Sequence, residues 1–146
     1  MEVVKRLKVT ADELFDLMMT SAKHDVEQAT GEKPKEITTG FTYRKNLTNK
    51  LGKEGGSIGT FTKIEKPSVY EIEFKSARGL NKVSYVIEKI DDETIEVTYS
   101  ESYDGVSGRH DLNQRIVGWF YKRSLKKRME GMLSMMEQHI KSQRQA

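Results

Sequence analysis

The chain has 146 residues, no cysteine, 36% hydrophobic and 32% charged side chains, and a net charge of +3. That length suits one domain burying about 70% of its unfolded surface, and the composition excludes disordered and fibrous classes. Disulfides, thiolate metal sites and thiol nucleophiles are excluded, in keeping with a reducing cytoplasm, and no apolar run approaches the ~20 residues of a membrane span or follows the cationic start as a leader would, so a cytoplasmic chain without leader or transmembrane segment is expected.

Residues 2–9 alternate, Val3, Leu7 and Val9 against Glu2, Arg6 and Lys8, which predicts a half-buried strand. The period then changes. Thr10 and Glu13 have the spacing of a capping box, with Val9 and Leu14 placed for a hydrophobic staple. A helix is predicted from about Ala11, with Leu14, Phe15, Met18, Ala22, Val26 and Ala29 on one face, a bend near Thr20 and Ser21, and Gly31 as its left-handed C′ residue. From Gly40 to Tyr103 five strand-like runs follow: Phe41 to Thr48, Ser57 to Glu65, Val69 to Ser76, Lys82 to Ile90 and Thr94 to Tyr103. The breaks NKLGKEGG, KPS, ARGLN and DDE are hairpin-sized, so an antiparallel meander is predicted. Tyr70, Ile72 and Phe74 alternate with Glu71, Glu73 and Lys75; Ile95, Val97, Tyr99 and Tyr103 alternate with Glu96, Thr98, Ser100 and Ser102. One sheet face is therefore apolar and the other wet, as in a sheet covered on a single side.

The last segment is expected to be the cover. Asp111 and Gln114 are spaced as a cap, and Leu125, Met129, Met132, Leu133, Met136 and Ile140 form a helical stripe opposite Arg123, Lys127, Glu130 and Lys141. That predicts an amphipathic helix of roughly twenty residues, about 30 Å long. Leu112, Ile116, Trp119 and Phe120 lie on a different phase, which implies a break, a bend near Gly118, or packing against a second surface. Between Arg115 and Arg144 eight cations meet only Glu130 and Glu137, a net +6 that leaves −3 on the remainder. Lys122, Arg123, Lys126, Lys127 and Arg128 spread around the helix, so the helix must begin well before them, since cations are unfavourable at a helix amino terminus.

Those five cations are either a solvated face or a surface for an acidic protein, an anionic membrane or nucleic acid. No nucleic-acid-binding motif supports the last, and no specific nucleic acid partner is expected. Trp119 and Phe120 beside them fit an interface anchor or, more simply, burial against the first helix. His24, His110 and His139 lack metal-ligand spacing, Gly52-Lys53 lacks the rest of a phosphate loop, and Glu71 with Glu73 sits on the wet strand face. No catalytic set, metal or cofactor is implied.

The stretches VVKRLKVTADELFDLM and GWFYKRSLKKRM, in an order of strand, helix, meander and long final helix, resemble the START-like, birch-pollen-allergen-like superfamily (SRPBCC, helix-grip), and within it a bacterial family of uncharacterised function. The resemblance implies a single α+β domain over residues 1–146, with a curved antiparallel sheet of six or seven strands gripping the last helix. It also implies a cavity for a small apolar molecule or lipid between Phe41, Tyr43, Phe61, Tyr70, Ile72, Phe74, Tyr85 and Tyr99 on the sheet and Met129, Leu133 and Met136 on the helix. Apolar residues with a few phenolic hydroxyls suit such a pocket, and unbranched Met adapts to varied ligand shapes; ordinary core packing is the competing account of the same residues. Met135 falls off the stripe and suits a partner surface better. Some superfamily members are cyclases, so the resemblance keeps open an enzyme using Tyr43, Tyr85 or Tyr99.

Overall fold

Val3 and Leu7, as the alternation requires, are buried on one side of the first strand, and the capping box follows directly. The computed structural model describes residues 1–48, 54–77, 79–105 and 112–144, with side chains at all but 46–48, 54, 55, 105 and 112–121. The elements are β1 (Glu2–Leu7), α1 (Ala11–Thr30), β2 (Thr42–Thr48), β3 (Glu54–Glu65), β4 (Val69–Ser76), β5 (Gly79–Lys89), β6 (Ile95–Gly105) and α2 (Leu112–Arg144). All six strands form one antiparallel sheet in the order β1-β6-β5-β4-β3-β2. This is the expected α+β architecture: a curved six-stranded sheet, a helix after the first strand and a long carboxy-terminal helix.

β1 and β2 are consecutive strands on opposite edges of the sheet, five spacings or about 24 Å apart along it. α1 supplies the span, because its 20 residues reach about 30 Å. Its start is closed by Glu13 N–H donating to Thr10 Oγ1 at 3.1 Å and Thr10 N–H donating to Glu13 Oε1 at 2.9 Å. Its end is Gly31, at φ 83, whose N–H reaches the Glu27 carbonyl at 2.8 Å; only glycine adopts that backbone cheaply. The helix is unbroken through Thr20 and Ser21, and the Thr20 hydroxyl donates to the Asp16 carbonyl at 2.9 Å, a back-bond compatible with the expected bend.

Two expectations change. The last helix has 33 residues, about 50 Å, and runs without interruption through Gly118; helical propensity without proline outlasts the change of hydrophobic phase. The cap at Asp111, the turn at 49–53 and His110 lie outside the described residues, as do the side chains of Leu112, Ile116, Trp119 and Phe120. The stretch ARGLN is not wholly a turn either. Ser76 pairs with Gly79, and β5 already includes Leu80 and Asn81.

The cover is shared between both helices. One buried cluster sets Met129, Leu133 and Ile140 of α2 with Leu14, Phe15 and Met18 of α1 against Val3, Leu7, Tyr85, Ile87, Ile95, Val97 and Tyr99. A second sets Ala22 and Val26 of α1 with Ile37 against Tyr43, Phe61 and Ile72. Because α1 must cross the sheet to join its two edges, its second half covers the β2–β4 side that the last helix was expected to cover.

Candidate functional site

Strand register places the inward side chains in lateral rows. Tyr70, Tyr85 and Tyr99 form one row and Phe61, Ile72, Val83 and Glu101 the next. Beyond them come Tyr43, Gly59, Phe74, Asn81 and Tyr103, and then Lys45, Ser57, Ser76 and Gly79. A bulge between Phe61 and Lys63 on β3 lets both Phe61 and Ile64 face the core. The inner surface therefore passes from aromatic to polar along the strands.

The expected aromatic residues meet in one connected chain. Phe41 contacts Phe61 at 6.0 Å between ring centroids, Phe61 contacts Tyr43 at 6.1 Å and Tyr70 at 5.9 Å, and Tyr43 contacts Phe74 at 6.5 Å. Tyr70 continues to Tyr85 at 5.7 Å, Tyr85 to Tyr99 at 5.0 Å, and Phe15 of α1 joins at Tyr70, 6.5 Å away. Most of these pairs are edge-to-face, the arrangement ring quadrupoles favour. Gly59 makes the crossing of Tyr43 and Phe74 possible, because a Cβ there would stand 2.7 Å from Tyr43 Cε1 and 3.2 Å from Phe74 Cε1.

Tyr43, Phe61, Ile72, Tyr85, Tyr99, Met129 and Leu133 are buried, and Phe41, Tyr70, Phe74 and Met136 are half-buried. They divide between the two clusters: Met129, Leu133 and Met136 pack with Tyr85 and Tyr99, whereas Tyr43, Phe61 and Ile72 pack with α1. Tyr70, Ile64 and Val83 touch both. Met135 is exposed, as its place off the stripe implies. Tyr103, expected on the apolar face, is 65% exposed: Tyr43 and Phe74 of its row belong to the second cluster, but on β6 the clusters extend only to Tyr99.

Burial raises the phenol pKa of Tyr43 and, with the neighbouring Tyr85, that of Tyr70. Burial first and Glu101 second push Tyr85 up to about 12. Glu101 accepts a hydrogen bond of 2.7 Å from the Tyr99 hydroxyl. Sequence reasoning missed this carboxylate, although its parity with Ile95, Val97 and Tyr99 was the available signal.

Past the last aromatic row lies a cleft of about 250 Å³ lined by Lys45, Ser57, Phe74, Ser76, Asn81 and Tyr103. Phe74 is shared with the expected set. Ser57 is buried, and Asn81 Oδ1 is buried with no hydrogen-bond partner among the described residues. A second depression, about 410 Å³, separates α1 from the end of α2 and includes Asp16, Thr20 and His139. There Arg144 Nε donates to Glu13 Oε2 at 2.7 Å and Arg144 Nη2 to Oε1, which helps hold the Glu13 carboxyl at about 2. Lys122, Arg123, Lys126, Lys127 and Arg128 are all exposed. Among the described residues no group of three or more His, Asp or Glu side chains is arranged to hold a metal, and no helix is long and apolar enough to cross a membrane.

Comparison with solved structures shows the fold. The crystal structure of Ara h 8.0201 superposes with a TM-score of 0.63 at 10% identity, covering 97% of each chain. A protein of unknown function from Staphylococcus aureus gives 0.59 at 13% identity over 100% of this chain and 96% of that one. A conserved protein from Geobacillus kaustophilus gives 0.56 at 20% identity over 95% and 93%. These likenesses show the helix-grip fold expected from the sequence. No curated protein matches in sequence. A family model described as a domain of unknown function, DUF3284, matches residues 1–122, and the chain belongs to that family.

Proposed function

We propose that the domain binds a small apolar molecule on the concave face of the sheet, beneath its helices, and acts by binding and not by chemistry. The observation that carries this reading is the chain of aromatic rings that runs out into the cleft at Phe74. A surface built from aromatic and aliphatic side chains with a few polar groups at one end is what ligand pockets generally present. The cleft volume of about 250 Å³ lies just under the usual range of about 300–1,000 Å³, which points to a ligand of few rings. Half-buried Phe41, Tyr70, Phe74 and Met136 are the side chains with room to yield to it. Native mass spectrometry of the protein purified from bacteria, together with displacement of a hydrophobic fluorophore, tests the proposal. Retained mass or saturable displacement is expected; a chain that carries nothing and displaces nothing sinks it.

The exposed cations of α2 favour a second reading, a module that docks on an anionic membrane or acidic protein. Sedimentation with anionic vesicles at low and moderate salt discriminates. Lys126→Glu with Lys127→Glu should abolish salt-sensitive binding and leave fluorophore displacement intact.

A further inference from the structure

Asn81 stands where the aromatic face turns polar. Its lateral neighbours are Phe74 on β4 and Tyr103 on β6, both of which line the same cleft. The side-chain oxygen is buried, yet no donor among the described residues reaches it. A buried acceptor left without a donor carries the full desolvation penalty of its carbonyl, and native chains keep few such groups. Around it, Ser57 is buried and Lys45 is exposed at the rim, so the cleft has a polar end and an aromatic end. On the next row Glu101 is an acceptor, not a donor, and it receives the Tyr99 hydroxyl from the row beyond.

Resting on the reading that this face binds an apolar molecule, we infer that Asn81 is its polar anchor and that the ligand is a hydroxylated aromatic or alicyclic molecule, its hydroxyl donating to Asn81 Oδ1 and its apolar body lying against Phe74 and Tyr103. A site built to receive a donor discriminates strongly against an analogue that lacks one, because the analogue leaves the buried oxygen unpaired. Shape alone discriminates far less.

Titration calorimetry with naphthalene, 2-naphthol and 2-methoxynaphthalene tests this on the full chain. 2-Naphthol should bind about tenfold or more tighter than either analogue, the expected scale for one buried donor–acceptor pair. Asn81→Leu should remove that preference, since a buried acceptor is replaced by an apolar group of similar size. Equal affinities in the unmodified protein, preference for 2-methoxynaphthalene, or a preference that survives Asn81→Leu would overturn the anchor while the binding reading stands. If none of the three probes binds, both fall together. Should Asn81→Leu fold poorly, the side-chain amide resonances of Asn81 in the unmodified protein decide: they should shift with 2-naphthol and not with naphthalene, and the reverse overturns the assignment.

Discussion

One sheet surface carries two different solutions. Near β1 and the corner into α1, Leu7, Leu14, Ile95, Val97 and Leu133 are at most 1% exposed, and α2 is fastened there by polar contacts as well as packing. The Lys8 N–H donates to Glu137 at 2.6 Å, and Arg144 closes on Glu13. At the other end of the same strands Tyr103 is 65% exposed, Asn81 keeps an oxygen unpaired among the described residues, and a cleft replaces the core. Tight packing and satisfied polar groups give the first end its stability. The second end forgoes both, which is the usual condition of a site that exchanges what fills it.

The largest test of that contrast is Leu133→Ala. Removing a side chain that is 0% exposed should cost about 2–5 kcal/mol in urea unfolding, because the packed end cannot collapse onto the gap. A cost below about 1 kcal/mol would place the structural anchor elsewhere. Gly59→Ala comes next. The added methyl must push Tyr43 or Phe74, so a loss of about 1–3 kcal/mol is expected together with weaker fluorophore displacement, measured on the same variant. Unchanged displacement would detach those rings from the site.

The packed end should show both an acid and an alkaline limb in its pH dependence. Glu13 is held at about 2, below its ordinary 4.5, chiefly by Arg144, so its contribution is present above pH 4.5 and lost as pH falls toward 2. Arg144→Met should flatten that acid limb in urea titrations at pH 5 and pH 3 and leave ligand binding alone. Tyr85 is raised to about 12, so its contribution is complete below pH 10 and is lost as pH climbs through 12. Ultraviolet titration should show several phenols ionising late, since Tyr43 and Tyr70 are raised as well, and Tyr85→Phe should remove one late-ionising phenol from the total. The smallest effect belongs to Tyr103→Ser: stability should stay within about 0.5 kcal/mol, while probe affinity falls.

Much of this could be read along the chain. Thr10, Glu13 and Gly31 act within a single turn, and Tyr70, Ile72 and Phe74 declare their face by alternation, so neighbours in sequence carry the information. The site's polar end was less legible. Asn81 looked like part of a turn because ARGLN contains turn-forming residues, and its pairing with Phe74 returned it to the strand. Glu101 shares the parity of Tyr99 but was passed over, since a carboxylate among inward residues violates the pattern used to find them. Functional positions tend to be where local rules fail.

The sequence by itself determined the elements, their order and the greasy side of each strand, because periodicity and capping are properties of residues a few places apart. Only the tertiary structure decided that α1 and α2 divide the sheet between them, that eight rings join into one chain, and that the cleft opens at Phe74, Asn81 and Tyr103. Those facts depend on strand register and on which edge each helix must reach, and both are settled by contacts between residues far apart in the chain.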